Sequence, residues 1–252
     1  LGTGEPDRAL SSAKGRTGKT ALTNLVLPLA AAIATLALWD SFVVYPFKIF
    51  VVFLHELSHG LAAVASGGEI VRIELSFDQG GVCLTRGGSA FLILNAGYLG
   101  SLLWGALLLV VGTRSRQDRA LVGFIGAVTL AITLIYVRSL FGFVYGVTTG
   151  SLLLLIAWLL PTGVSDALVK AVGMVSCLYA IWDIGSDALF RSIPESDAHA
   201  LARLTGVPGV VWGGIWVVLA VGVTVQALIF VARSPGELRP AEPTPPPGKV
   251  RL

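Results

Sequence analysis

A run of apolar residues from 47 to 66 carries His55, Glu56 and His59 near its middle, and this stretch constrains the chain more than any other. On a helix the two histidines fall one turn apart. Both imidazoles then leave the same face and can share one ion, while the carboxylate beside them reaches a water molecule bound there. The ordinary alternative for His-Glu-x-x-His is a solvated helix face. Here the motif follows Phe50, Val51, Val52, Phe53 and Leu54, and three desolvated ionisable groups would be a heavy load on a merely structural helix. The residues therefore read as a zinc site inside a membrane-spanning helix, with His55 and His59 as ligands of one zinc ion and Glu56 as the catalytic base.

The rest of the chain agrees with a lipid environment. Of 252 residues, 54% are hydrophobic and only 13% are charged, outside the usual range of soluble domains. Seven apolar stretches are long enough to cross a bilayer, at residues 21–39, 47–66, 89–111, 120–137, 141–160, 167–190 and 209–232. The expected fold class is an all-α polytopic membrane protein of about six to seven transmembrane helices, integral and multi-pass, in the cell membrane. Between the second and third stretches the period changes. Residues 70–77 alternate in polarity and Asp78-Gln79-Gly80-Gly81 supplies a turn, so residues 69–86 read as a small β-hairpin directly after the metal-binding helix. Such a hairpin is either a plain connector or an edge on which an extended substrate could pair.

The flanks differ from this core. Residues 1–20 form a polar leader, residues 21–232 the membrane-embedded domain, and residues 233–252 a Pro-rich disordered tail. The net charge of +3 is scattered, with no basic run interleaved with aromatics, which excludes nucleic acid as a partner. The two cysteines, Cys83 and Cys177, fall in a loop and a span, and give no disulfide framework.

Zinc hydrolases use three protein ligands and keep the fourth position for water. The remaining candidates are Asp183, Asp187, Asp197 and His199. Depth favours Asp183: counted back from the end of its stretch it lies level with the two histidines, whereas Asp187 lies about 6 Å nearer the surface. Asp183 is thus the expected third ligand, with Asp187 outside it as a carboxylate that orients a ligand or lines a water path. In Asn95-Ala96-Gly97-Tyr98-Leu99-Gly100-Ser101 the small residues are chiefly a means of close helix packing, with Asn95 bonding across the contact, and Asn95 is also a second water-path candidate.

Taken in order, several parts resemble one family. They are Phe53-Leu54-His55-Glu56-Leu57-Ser58-His59-Gly60, the Gly67-Gly68 pair with its hairpin, the 95–101 segment, Trp182-Asp183-Ile184, and Ser196-Asp197-Ala198 with Leu204-Thr205-Gly206. The chain resembles the site-2 proteases, intramembrane zinc metalloproteases, and within them the compact site-2-protease-like branch. The resemblance implies zinc at His55 and His59, Glu56 as general base, and a late aspartate as third ligand. The Asn-Pro-Asp-Gly-like run in which better-known members carry that aspartate is absent. The implied function is that of a zinc-dependent metalloendopeptidase acting on a transmembrane protein or peptide substrate within the lipid bilayer. Its rivals are a non-catalytic metal-binding membrane scaffold or transporter, which would not need Glu56, and a membrane zinc hydrolase of a lipid or prenylated peptide.

Overall fold

The computed structural model describes residues 24–114, 117–190 and 196–234. The leader, residues 191–195 with Glu195, and the tail beyond Ser234 lie outside the described residues. Six helices are long and apolar enough to span a membrane: α2 (Tyr45–Ala65), α3 (Ala90–Arg114), α4 (Asp118–Tyr136), α5 (Leu140–Leu159), α6 (Thr162–Ile184, continuing to Asp187) and α8 (Gly209–Arg233). Each coincides within a few residues with an apolar stretch of the sequence. The first stretch differs, because its described helix, α1 (Asn24–Ala37), is shorter than a bilayer crossing requires. A short helix α7 (Asp197–Thr205) precedes α8.

Helix α2 is the centre of the molecule. From Ile49 to Leu57 its apolar residues are buried on all sides, whereas α4 and α5 turn large residues such as Phe124, Leu134, Leu140 and Trp158 outward. An apolar exterior is the expected surface in lipid, and it leaves polar side chains on α2 facing protein. Helix α3 packs against both α2 and α6. Where α3 crosses α6, a Cβ on Gly105 would meet the Gly173 carbonyl and one on Gly173 would meet the Gly105 carbonyl, each at 2.9 Å, so the two backbones touch without side chains between them. Ser176 closes that crossing by donating to the Ser101 carbonyl at 2.8 Å.

The expected hairpin is present: β1 (Glu69–Leu75) pairs antiparallel with β2 (Gly81–Arg86), bringing Ile73 opposite Cys83 and Leu75 opposite Gly81. The far edge of β1 is occupied by the link between α4 and α5. Val137 bridges Ile73 in parallel, Arg138 N–H donates to the Ile73 carbonyl at 3.0 Å, and the Ser139 hydroxyl both accepts from Leu75 N–H at 2.9 Å and donates to its carbonyl at 2.8 Å. Among the described residues no strand covers the far edge of β2. One edge of the hairpin is therefore tied down, and both its strands pack on α2.

Candidate metal centre

Helix α2 delivers His55 and His59 from one face, as the i, i+4 spacing requires, and α7 brings Asp197 to meet them. Asp197 Oδ2 lies 3.2 Å from the Nε2 atom of each histidine, close to the separation of about 3.3 Å between ligand atoms that each sit about 2.0 Å from a tetrahedral ion. The three ligand atoms lie within 4.8 Å of one another. His59 Nδ1 donates to the Ile93 carbonyl at 2.6 Å, which fixes the tautomer and turns the Nε2 lone pair toward Asp197. Asp197 Oδ2 is itself buried and accepts no hydrogen bond. A carboxylate oxygen and an imidazole lone pair facing one another need a cation between them, so the donor set fits a metal ion.

Helix α3 supplies the room. A Cβ built on Gly97 would fall against the Nε2 atoms of both His55 and His59. The side of the histidines that converges on Asp197 is therefore open only because residue 97 has no side chain. Tyr98, the next residue, sets its ring edge-on to His55, with centroids 4.8 Å apart, and donates its hydroxyl to Asp187 Oδ2 at 3.0 Å. Ser186 donates to the other oxygen of Asp187 at 2.9 Å.

Glu56 is buried beside this group and shares its cavity of about 410 Å³, but it is not one of the three converging residues. The hairpin holds it. Gly81 of β2 packs so tightly on the carboxylate that a Cβ there would lie 2.5 Å from Oε1, and the Cys83 main chain interacts with the same carboxylate. Strand β2 and the proton-accepting group thus touch each other at one cavity. Burial, with Glu56 close by, pushes the Cys83 thiol up to about 12, so it stands there as a neutral side chain.

Of the four late candidates, only Asp197 joins the histidines. The expected ligand, Asp183, lines the same cavity but lies outside the converging group. Counting depth along residues 167–190 assumes one straight helix, and residues 191–208, read as a polar loop with a short helix begun by a Ser or Asp cap, then fall outside the site. In the structure α6 passes into a π-helical segment (Gly185–Phe190), and the chain then re-enters the protein as α7, whose Ala198 and Leu201 are fully buried. The sequence signal was Asp197 immediately before those two apolar residues spaced i, i+3, the inner face of a short helix. His199 turns away and interacts through Nδ1 with the Ser196 hydroxyl at 3.1 Å.

Asp187 lines the cavity and reaches His55 only through Tyr98, the position of an orienting carboxylate. Asn95 lines a different cavity, bounded by α2 and α3. Its amide nitrogen donates to the Phe91 carbonyl at 2.8 Å and its oxygen accepts from Trp216 Nε1 at 3.0 Å, so it ties α3 to α8.

Compared with known families, the chain matches the Peptidase M50B-like model over residues 28–227. The protein belongs to that family. Peptidase M50B-like proteins fall within the site-2 proteases, intramembrane metalloproteases, and the six apolar helices place this member in a membrane as a multi-pass protein. No curated protein and no solved structure matches the chain. As a member of a family of zinc metallopeptidases, this M50B-like protein has in His55, His59 and Asp197 a donor set suited to that ion.

Proposed function

We propose that the protein hydrolyses peptide bonds of membrane-embedded proteins or peptides, using one zinc ion held by His55, His59 and Asp197, with Glu56 as general acid and base. The observation that carries this reading is the convergence of two imidazoles and a carboxylate next to a second carboxylate, under the open edge of a β-strand. A bound zinc ion would polarise the scissile carbonyl and make a water molecule acidic enough to attack near neutral pH.

The chain's own residues supply the rest. Glu56, held over the cavity by Gly81, takes the proton of the attacking water and delivers it to the leaving amine when the C–N bond breaks. His59 is kept as a lone-pair donor by Ile93, and Asp187 acts through Tyr98 to hold the His55 side of the site. A transmembrane helix hides its carbonyls in its own hydrogen bonds, so the substrate must open before it is cut. The edge of β2 offers the opened segment main-chain partners beside Glu56.

The test is a purified, zinc-loaded protein in liposomes, given a peptide with one transmembrane segment. Cleavage by the wild type and loss of cleavage in Glu56→Gln at unchanged zinc content is the expected result. A Glu56→Gln protein that cuts as fast as the wild type would overturn the proposal.

A further inference from the structure

The metal cavity continues into a second one of about 570 Å³, with Gln79, Gly80, Asp183 and Asp187 shared between the two. Beyond the shared residues it is lined by Asp40 and Asp78 and by aromatic rings, among them that of Trp182, which is 56% exposed. Lys48 also lines it. This side chain is 5% exposed, yet its ammonium rests 4.4 Å from the centroid of the Trp39 ring, with no carboxylate at ion-pair distance among the described residues. The ammonium end borders the cavity near Asp40, without a hydrogen-bond acceptor among the described residues, and the cavity is the side from which an acceptor can come. It also shows that the cavity accommodates an alkylammonium on an aromatic face.

Charge gives the second line of evidence. Four aspartates line the cavity against one lysine, so it favours a further cation. Asp78 stands at the exposed hairpin turn, where a hydrogen bond with Ser76 holds its carboxyl below the usual range and keeps it ionised. A strand paired with the open edge of β2 and running outward past Gly81 crosses Gln79 and Gly80, and so enters this cavity within a few residues of Glu56.

We propose that the cavity is a substrate subsite for a lysine or arginine flanking the cleaved segment, with its cation between Asp40, Asp78 and the Trp182 face and its main-chain carbonyl accepting from Lys48. The inference rests on the peptidase reading above and adds a residue preference to it. Basic residues at the ends of transmembrane segments, with long apolar stems and charged heads at the interface, are the chemistry that fits.

The test uses the full chain, zinc-loaded in liposomes, and transmembrane peptides differing only in one residue, Lys, Leu or Glu, stepped through the positions on either side of the cleaved bond. At one position, Lys should exceed Glu in kcat/KM by about tenfold. The Lys-to-Glu ratio should fall toward one in Asp40→Asn/Asp78→Asn, and Asp78→Lys should invert it, with zinc content reporting that each variant keeps its site. Cleavage with no preference at any position, or a preference unchanged in the double variant, overturns the subsite while leaving the peptidase reading standing. Failure of the zinc-loaded protein to cut any of the peptides overturns both.

Discussion

His59 donates its Nδ1 hydrogen to the carbonyl of Ile93, 2.6 Å away at the start of α3, so the helix facing the ligands also decides which nitrogen of the ring is free. The tautomer depends on how closely α3 approaches α2, and Gly97 sets that approach one turn further along. Gly97→Ala should therefore displace α3 from the histidines, weakening zinc binding by at least about tenfold, a change of the size that disturbed supporting residues cause. Gly214→Ala in α8, where a Cβ meets nothing, is the control and should keep its zinc. Metal content of the two purified variants checks this; a Gly97→Ala protein with normal zinc would show that the close contact is not needed.

Glu56→Gln separates binding from chemistry. The amide occupies the same space under Gly81 and leaves all three ligands in place, but it cannot accept a proton from water. Zinc should stay stoichiometric while kcat falls by about 10²–10⁴, the usual contribution of a positioned base. A rise in KM alone, with kcat intact, would contradict the role.

Removing the metal should loosen the fold. His55, His59 and Asp197 join α2 to α7, and without a cation their facing lone pairs oppose that junction. At free zinc about 100 times its Kd, the ion contributes about 2.7 kcal/mol of stability. Treatment with a chelator should lower Tm, and added zinc should restore it. An unchanged Tm would mean that α7 docks independently of the metal.

Ser139 tests whether the hairpin must be held in place. Its hydroxyl meets both main-chain groups of Leu75 and accepts from Gly142 N–H at the start of α5, so Ser139→Ala removes a helix cap and the tether of β1 together. The expected cost is about 1–2 kcal/mol. Cleavage of a transmembrane peptide should drop with zinc content unchanged, because the tether joins β1 to the start of α5 and bonds to none of the three ligands. Equal loss of zinc and activity would point to general unfolding instead.

Six of the seven apolar stretches as spans, the hairpin and the shared face of His55 and His59 were legible because each is local: apolar length, alternation with a turn, and a one-turn spacing. What was not legible depends on contacts between distant parts of the chain. Gly97 read as a helix-packing residue, and it is one, but only the assembled α2–α3 pair shows that it also clears the space before both Nε2 atoms. Asn95 read as a group that bonds across a helix contact, and it does so, but only the assembled bundle shows that its partner is Trp216, far along the chain. Nothing in the spacing of α6 announces the π-helical segment that carries Asp187 to Tyr98.

The third ligand is the sharpest test of the site. Asp183 and Asp197 line the same cavity, yet only Asp197 lies 3.2 Å from both imidazole nitrogens. Asp197→Ala leaves two neutral imidazoles to hold a doubly charged ion in a low-dielectric setting, so zinc should be lost by well over about a hundredfold in affinity. Asp187→Asn breaks the link to Tyr98 and should cost about 10- to 100-fold, the range of outer residues that orient ligands. Asp183→Ala should leave zinc content nearly normal. Metal content and competition titrations on the three variants give the order, and neither peptide substrate nor turnover is needed. If zinc survives in Asp197→Ala and disappears in Asp183→Ala, the ion is held by α6 rather than α7, and the arrival of α7 at the histidines is not what completes the site.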